Sequence, residues 1–245
     1  MRAMAAKYLV KVIEKVNLAG KYWAVKLEKP LLRQGFAGQA ARFEYLAGEY
    51  VSILVNDQFQ RRSYSLASKP GDNFLELIFD VKPEGLGSNY LKNLEIGQKV
   101  EILGPLGKFS IVGELIGRKM LFVGTGSGIV PLWSMINDLL VDKNFKGEVQ
   151  LHWGMRDDGE MFMESGLDEL KNRYTNFSYD VVMSQASERW PNCRGHVQDC
   201  LVKHGQNWQG WEVYLCGNQK MVLDVAALLM TQGVARDKIY FEKYY

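Results

Sequence analysis

Gly124-Thr125-Gly126-Ser127-Gly128-Ile129-Val130-Pro131 stands between a short apolar run, 119–123, and a segment whose apolar residues fall at Leu132, Met135, Ile136, Leu139 and Leu140. That spacing is i, i+3, i+4, i+7, i+8, the stripe of an amphipathic helix. A glycine-rich turn between a strand and a helix is an anion site. Backbone without side chains approaches a phosphate closely, and the free N–H groups of the helix start point at it. Pro131 suits the first helical turn, where no N–H is needed. The usual dinucleotide fingerprint would carry Gly at 129, where Ile129 stands. A nucleophile elbow around Ser127 would need Gly at 125 and 129; Thr125 and Ile129 exclude it, and with it a hydrolase.

Strand and helix patterns continue to alternate after this loop. Apolar strands are expected at 149–153, 177–183, 212–216 and 238–242, with a further helix at 221–230. Such alternation predicts a five-stranded parallel sheet covered by helices. His152 alternates inside one of these strands and is expected as a hydrogen-bonded core residue. Before the loop the rhythm differs. Alternating runs at 50–55, 62–67, 74–81 and 99–103, broken by turns such as 68–73 and 104–107, predict an antiparallel barrel or sandwich. The change of rhythm at 113–118 divides the chain into a domain of residues 1–115 and one of 116–245.

Composition agrees with a globular protein: 245 residues, 47% hydrophobic and 24% charged. A net charge of +2 with dispersed Lys and Arg gives no basic stripe for nucleic acid. Lys7, Lys11 and Lys15 read as a solvated face. No signal peptide and no run of ~18 apolar residues is visible, which sets the expectation of a cytoplasmic protein without membrane spans. Three cysteines, Cys193, Cys200 and Cys216, are too few for an iron–sulfur cluster and too sparse for a disulfide framework. Together with His152, His196 and His204 they form no Cys-x-x-Cys or His-Glu-x-x-His spacing, so no metal is expected. Electron chemistry would run on an organic cofactor.

In the barrel half, Arg62-Ser63-Tyr64-Ser65 joins a guanidinium able to clamp a pyrophosphate to a ring two residues on, which faces the same side of the strand. Ser65 can offer its hydroxyl to a ring nitrogen. These four residues are followed in order by Gly85-Leu86-Gly87-Ser88, Gly104-Pro105-Leu106-Gly107, the 124–131 loop, Leu215-Cys216-Gly217-Asn218-Gln219-Lys220-Met221 and the ending Phe241-Glu242-Lys243-Tyr244-Tyr245. In order and spacing, over nearly the whole chain, the set resembles the ferredoxin–NADP reductase family.

The resemblance implies a six-stranded antiparallel FAD barrel followed by a five-stranded Rossmann-like NAD(P) domain. It implies FAD contacts from Arg62, Ser63, Tyr64, Ser65, Val81, Gly85, Leu86, Gly87, Ser88 and Tyr244. NAD(P) contacts would come from Gly124, Thr125, Gly126, Ser127, Gly128, Pro131, Arg156, Ser184, Gln185, Arg189, Arg194, Cys216, Gly217 and Met221. Ser65, Cys216, Glu242 and Tyr244 would lie at the reacting rings, where hydride passes between nicotinamide C4 and flavin N5. Electrons would then pass to ferredoxin or flavodoxin, acidic one-electron carriers, from a monomeric enzyme. NADP-using members carry a Ser-Arg pair where this chain has Ser184-Gln185; Arg156, Arg189 and Arg194 are the candidates to read a 2′-phosphate, while Glu188-Arg189-Trp190 resembles NADH-using members. The balance leans to NADPH, with NADH the alternative. Other readings are an NADH-dependent flavin reductase or oxygenase reductase, and a non-catalytic electron-transfer subunit. The last typically carries a C-terminal cysteine cluster, which this ending lacks. Trp190, in a polar loop, is the one tryptophan suspected of a site, and Ser88 could simply cap a short helix through Leu91 and Leu94.

Overall fold

Alternation decides the first half of the chain. Phe74-Leu-Glu-Leu-Ile-Phe-Asp80 buries Leu75, Leu77 and Phe79, and Tyr50-Val-Ser-Ile-Leu54 buries Val51 and Ile53, so each strand turns one face to a common core. The computed structural model describes residues 5–30, 33–34, 40–41, 43–82 and 84–244, with backbone alone at 33–34, 40–41 and 244. Its strands in the first half are β1 (Ala6–Ala19), β2 (Tyr22–Glu28), the short pair β3 (Arg33–Gln34) and β4 (Ala40–Ala41), β5 (Tyr50–Leu54), β6 (Arg61–Ser65), β7 (Phe74–Asp80) and β8 (Lys99–Leu106).

Six of these form one antiparallel sheet in the order β6-β5-β8-β1-β2-β7. A bridge between Leu66 and Leu77 joins its two outer strands, closing the sheet into the expected barrel. The 14-residue β1 turns the corner. Residues 6–11 pair with β8, residues 12–19 with β2, and the register shifts between Val12 and Glu14. Helix α1 (Leu86–Asn93) follows β7. Lys15 is not a solvated residue as expected: its Nζ donates to the carbonyls of Lys92 (2.9 Å) and Leu94 (2.6 Å), satisfying the end of α1. The strand expected at 62–67 ends at Ser65, because Leu66 and Ala67 turn to β7 and Glu49 for their hydrogen bonds.

The second sheet holds β9 (Met120–Thr125), β10 (Val149–Met155), β11 (Phe177–Met183), β12 (Glu212–Asn218) and β13 (Ile239–Tyr244), all parallel, in the order β11-β10-β9-β12-β13. Met120 to Val123 are fully buried, as a central parallel strand covered on both faces requires. Helices α2 (Ile129–Asn137), α3 (Glu164–Arg173), α4 (Val197–His204) and α5 (Gln219–Thr231) follow β9, β10, β11 and β12 in turn. At the amino end of the sheet, Glu212 is buried between Arg118 and Lys238. Burial alone would raise its carboxyl, but the hydrogen bonds from Arg118 and Lys238 prevail and hold it below the usual range.

The compact units are Met1–Ile111 with Trp133–Asp138, and Val112–Leu132 with Leu139–Tyr245. Among the described residues, no helix is long and apolar enough to cross a membrane.

Candidate nucleotide sites

Two adjacent arginines on β6 behave differently. Arg61 is held in place, with Nη1 donating to the Ser52 carbonyl (2.7 Å) and Nη2 paired to Glu101. Arg62 is exposed, and its Nη1 donates to the Arg61 carbonyl at 2.8 Å. Tyr64 is half-buried, edge-on to Phe79 at 6.1 Å between ring centres. Burial pushes its hydroxyl up to about 12 against the pull of Arg62. A Cβ on Gly87 would lie 2.3 Å from the Tyr64 hydroxyl and 2.8 Å from Arg62 Cγ. The first turn of α1 therefore rests directly on this pair. Its leading N–H groups have no partner within the helix, so they add to the guanidinium in one anion cradle beside an aromatic ring. Ser88 performs the capping role foreseen for it: its Oγ accepts from the Gly85 N–H at 3.1 Å. Ser63 is exposed, Ser65 and Gly87 are buried, and Leu86 and Val81 flank the cradle in sequence.

The glycine loop occupies the carboxyl ends of β9 and β12. The chain leaves β9 for β10 and β11 on one side and returns to β12 and β13 on the other, so this is the point where the winding reverses and ligand crevices form. Side chains are excluded there. A Cβ on Gly128 would stand 2.3 Å from the Cys216 carbonyl, and one on Gly217, at φ +138°, would stand 2.3 Å from Thr125 Oγ1. Thr125 Oγ1 accepts from the Asn218 N–H (3.2 Å), and Trp153 Nε1 donates to the Gly126 carbonyl (3.0 Å). The loop is thus fixed from two strands, with Gly126 and Ser127 in a tight turn leading into α2, where Pro131 occupies the first turn.

Cys216 is fully buried and pairs in register with Glu242 on β13. Glu242 Oε2 is buried and has no hydrogen-bond partner, and burial pushes the carboxyl up to about 7. A carboxyl so placed is half protonated at neutral pH. Tyr244 ends β13, but its side chain and Tyr245 lie outside the described residues.

Two family models match consecutive parts of the chain: an oxidoreductase FAD-binding domain at residues 26–111 and an oxidoreductase NAD-binding domain at residues 122–227. The chain belongs to the ferredoxin–NADP reductase family of flavoproteins. It is 30% identical over 205 residues to an anthranilate 1,2-dioxygenase electron transfer component from Acinetobacter baylyi, covering 83% of this chain and 59% of that protein. It is 29% identical to the ferredoxin–NAD(P)(+) reductase component of naphthalene 1,2-dioxygenase/salicylate 5-hydroxylase systems from Ralstonia, covering 90% and 63%. The chain thus spans less than two thirds of these relatives' own length. Among solved structures it superposes on the Amycolatopsis cytochrome P450 reductase GcoB with a TM-score of 0.86 at 26% identity, covering 98% of this chain and 70% of that one. On ferredoxin–NADP+ reductase from Plasmodium falciparum the TM-score is 0.80 at 21% identity, covering 97% and 96%, a likeness of fold.

Within this reductase frame, the expected nucleotide-choice residues separate into two groups. Arg156, Ser184 and Gln185 come together: Arg156 Nε donates to Gln185 Oε1 (3.0 Å), and the Ser184 and Gln185 N–H groups bond the carbonyls of Met155 and Arg156. Arg189 is exposed. Arg194 is committed elsewhere, its Nη2 holding the carbonyls of Glu188 (2.9 Å) and Trp190 (3.1 Å). These bonds close its own loop. Trp190 likewise packs the loop, donating to the Cys193 carbonyl at 3.2 Å. Met221 is buried in the hydrophobic core of the sheet, so its side chain packs α5.

Two groupings lie outside the linear motifs. The first is at His152, which is buried as expected: its Nδ1 has no hydrogen-bond partner, and Asp180 Oδ2 lies 3.8 Å from it. Burial lowers this imidazole to about 4, with Asp180 opposing and His204 adding to the shift. The second is a grouping of side chains that are not adjacent in sequence. In space, Asp180, Cys193, Cys200 and His204 bring one ligand atom each within 4.8 Å of one another. The trace in the sequence was Cys200 and His204 at i, i+4, one face of a helix.

Proposed function

We propose that residues 1–115 hold FAD and residues 116–245 hold NAD(P)H, and that the chain passes reducing equivalents from the nucleotide to a one-electron carrier protein. The observation that carries this reading is the pair of anion cradles: Arg62 and Tyr64 against the first turn of α1, and the glycine loop at the reversal of the parallel sheet. Arg62 would clamp the FAD pyrophosphate bidentately, with α1 adding its N–H groups. Tyr64 would lie on the ring, and Ser65 would present its hydroxyl to a ring nitrogen. Bound FAD supplies the exchange of a two-electron donor for single-electron acceptors. Gly124–Gly128 would take the nucleotide pyrophosphate on backbone alone. Cys216, Gly217 and Glu242 would border the nicotinamide, Glu242 with a proton available at neutral pH. Tyr244 would cover the ring face that nicotinamide needs, and would have to move before reaction. Arg156 and Arg189 would read the 2′-phosphate, favouring NADPH.

The acceptor would be a ferredoxin or flavodoxin. A second reading, an oxygenase reductase component, is supported by relatives described as dioxygenase electron transfer components. Three cysteines, none of them in a disulfide, suit a reducing, cytoplasmic setting. Purified protein should be yellow and release FAD. Reduction of a ferredoxin, a flavodoxin and free flavin should be measured with NADPH and NADH in parallel. Faster turnover with free flavin than with either carrier would replace this reading by a flavin reductase. Absence of bound flavin together with no nucleotide oxidation would refute it.

A further inference from the structure

Asp180 lies on β11, Cys200 and His204 on α4, and Cys193 in the loop between them. No step of the proposed electron transfer uses any of the four. Their ligand atoms nevertheless converge. His204 Nε2 is 3.5 Å from Asp180 Oδ2 and 3.9 Å from Cys193 Sγ, and all four atoms fall within 4.8 Å. In a tetrahedral zinc site, bonds of about 2.0–2.3 Å leave neighbouring ligand atoms roughly 3.3–3.8 Å apart. The widest pair needs a contraction of up to ~1.5 Å to meet that geometry. The helix supplies two ligands by its own periodicity, since positions 200 and 204 share a face.

A second observation comes from outside the cluster. The His152 side chain is 2% exposed, its Nδ1 has no hydrogen-bond partner, and it lies 3.8 Å from the same Asp180 oxygen that faces His204. A buried imidazole turned to a carboxylate is the arrangement that orients an acidic ligand from behind. An open cleft lined by Asp180, Pro191, Asn192, Cys193, Lys203 and His204 gives an entry path, and Lys203 brings a positive charge to a site whose two thiolates and carboxylate would outweigh a divalent cation by one.

We propose that Asp180, Cys193, Cys200 and His204 bind a thiophilic divalent cation of the zinc type in a closed, four-ligand structural site. Binding would displace two thiol protons, which leave to solvent. All four positions are then filled by protein, so the ion is structural and not catalytic. Its effect falls on the 184–196 loop. Cys193 is the loop's contribution, and the ion would tie it to β11 and α4. That loop carries Gln185 and Arg189, so the ion would also set how firmly the nucleotide-choice residues are presented; this second effect rests on the nucleotide reading above, the binding itself does not.

The test is direct. Purified, reduced protein should contain about one zinc per chain by elemental analysis. After chelation, titration with Co(II) should give visible d–d bands and a near-ultraviolet thiolate-to-cobalt band, saturating at one ion per chain. Cys193→Ser, at a half-exposed position that should not disturb folding, should reduce the thiolate band and weaken binding. His152→Gln should weaken binding by ~10–100-fold while leaving the ligand set intact. Metal-stripped protein should lose part of its preference between NADPH and NADH. A preference unchanged on stripping, in protein that does bind cobalt in the titration, would overturn only the role given to the loop. Reduced protein that develops no thiolate-to-cobalt band would overturn the site. So would an intact mass two hydrogens low in protein isolated without oxygen, since the cysteines would then be a disulfide pair.

Discussion

Replacing Glu242 with Gln tests whether this carboxyl is truly held without a partner. Burial takes it from the ordinary glutamate value of 4.5 to about 7. At 1.36 kcal/mol for each pH unit, that difference is about 3 kcal/mol. The sign follows from proton counting. Between about pH 4.5 and 7 the folded chain keeps a proton that the unfolded chain has released, so stability falls as pH rises through that window. Below it both states are protonated and the penalty is absent; above it the penalty is complete. Gln is a nearly isosteric neutral group, so Glu242→Gln removes the pH-dependent part and leaves any constant cost of its amide. Cofactor-free protein should be unfolded with urea at about pH 4.5 and pH 8, followed by tryptophan fluorescence. The variant's stability relative to the parent should rise by up to about 3 kcal/mol from the lower pH to the higher. Parallel pH profiles for the two proteins would refute the reasoning, and would mean that Glu242 ionises as freely as a surface acid.

Arg62→Ala should purify largely without FAD, because the exposed guanidinium is the charged partner offered to the pyrophosphate; full flavin occupancy, read from the visible spectrum, would remove Arg62 from the cradle. Arg156→Ala should weaken NADPH more than NADH, by ~10-fold or more for a charge-assisted contact. Equal losses in kcat/KM would show that Arg156 only supports Gln185. Tyr244→Ser should tighten nucleotide binding and build a long-wavelength charge-transfer band, with slower turnover where release becomes limiting. An unchanged flavin spectrum and unchanged nucleotide affinity would mean that Tyr244 covers nothing.

The parallel half of the fold was legible because its signals are local. The apolar run of β9, the glycines after it and the stripe of α2 are neighbours in sequence, and each reports its own conformation. The barrel was legible only as a rhythm. That β1 divides its length between β8 and β2 depends on a shift at Val12 to Glu14 that composition does not mark. The same limit separates Arg61 from Arg62. The motif singles out the second, but the reason the first is unavailable is Glu101, forty residues on. Glu242 was placed by motif, yet its proton affinity arises from burial in the folded chain. The Asp180, Cys193, Cys200 and His204 cluster needed the register of β11, the turn of α4 and the return of a loop at once. A search for adjacent ligands could not find it.

The order of strands in each sheet also decides when each can form during synthesis. In the barrel, β8 sits between β1 and β5, pairing residues near 100 with residues near 6. Until β8 has left the ribosome, β1 and β5 lack their common neighbour, and both expose unpaired edges. The second sheet has the opposite schedule. Its middle strand, β9, emerges first, and β10 and β11 add to one side in turn before β12 and β13 build the other. Protease protection of stalled nascent chains should therefore appear abruptly for the barrel, once residues to about 106 are exposed. For the second sheet it should accumulate strand by strand. Of the two domains, the one made earlier is the one that must wait for its last strand, and that interval is when a holding chaperone has most to protect.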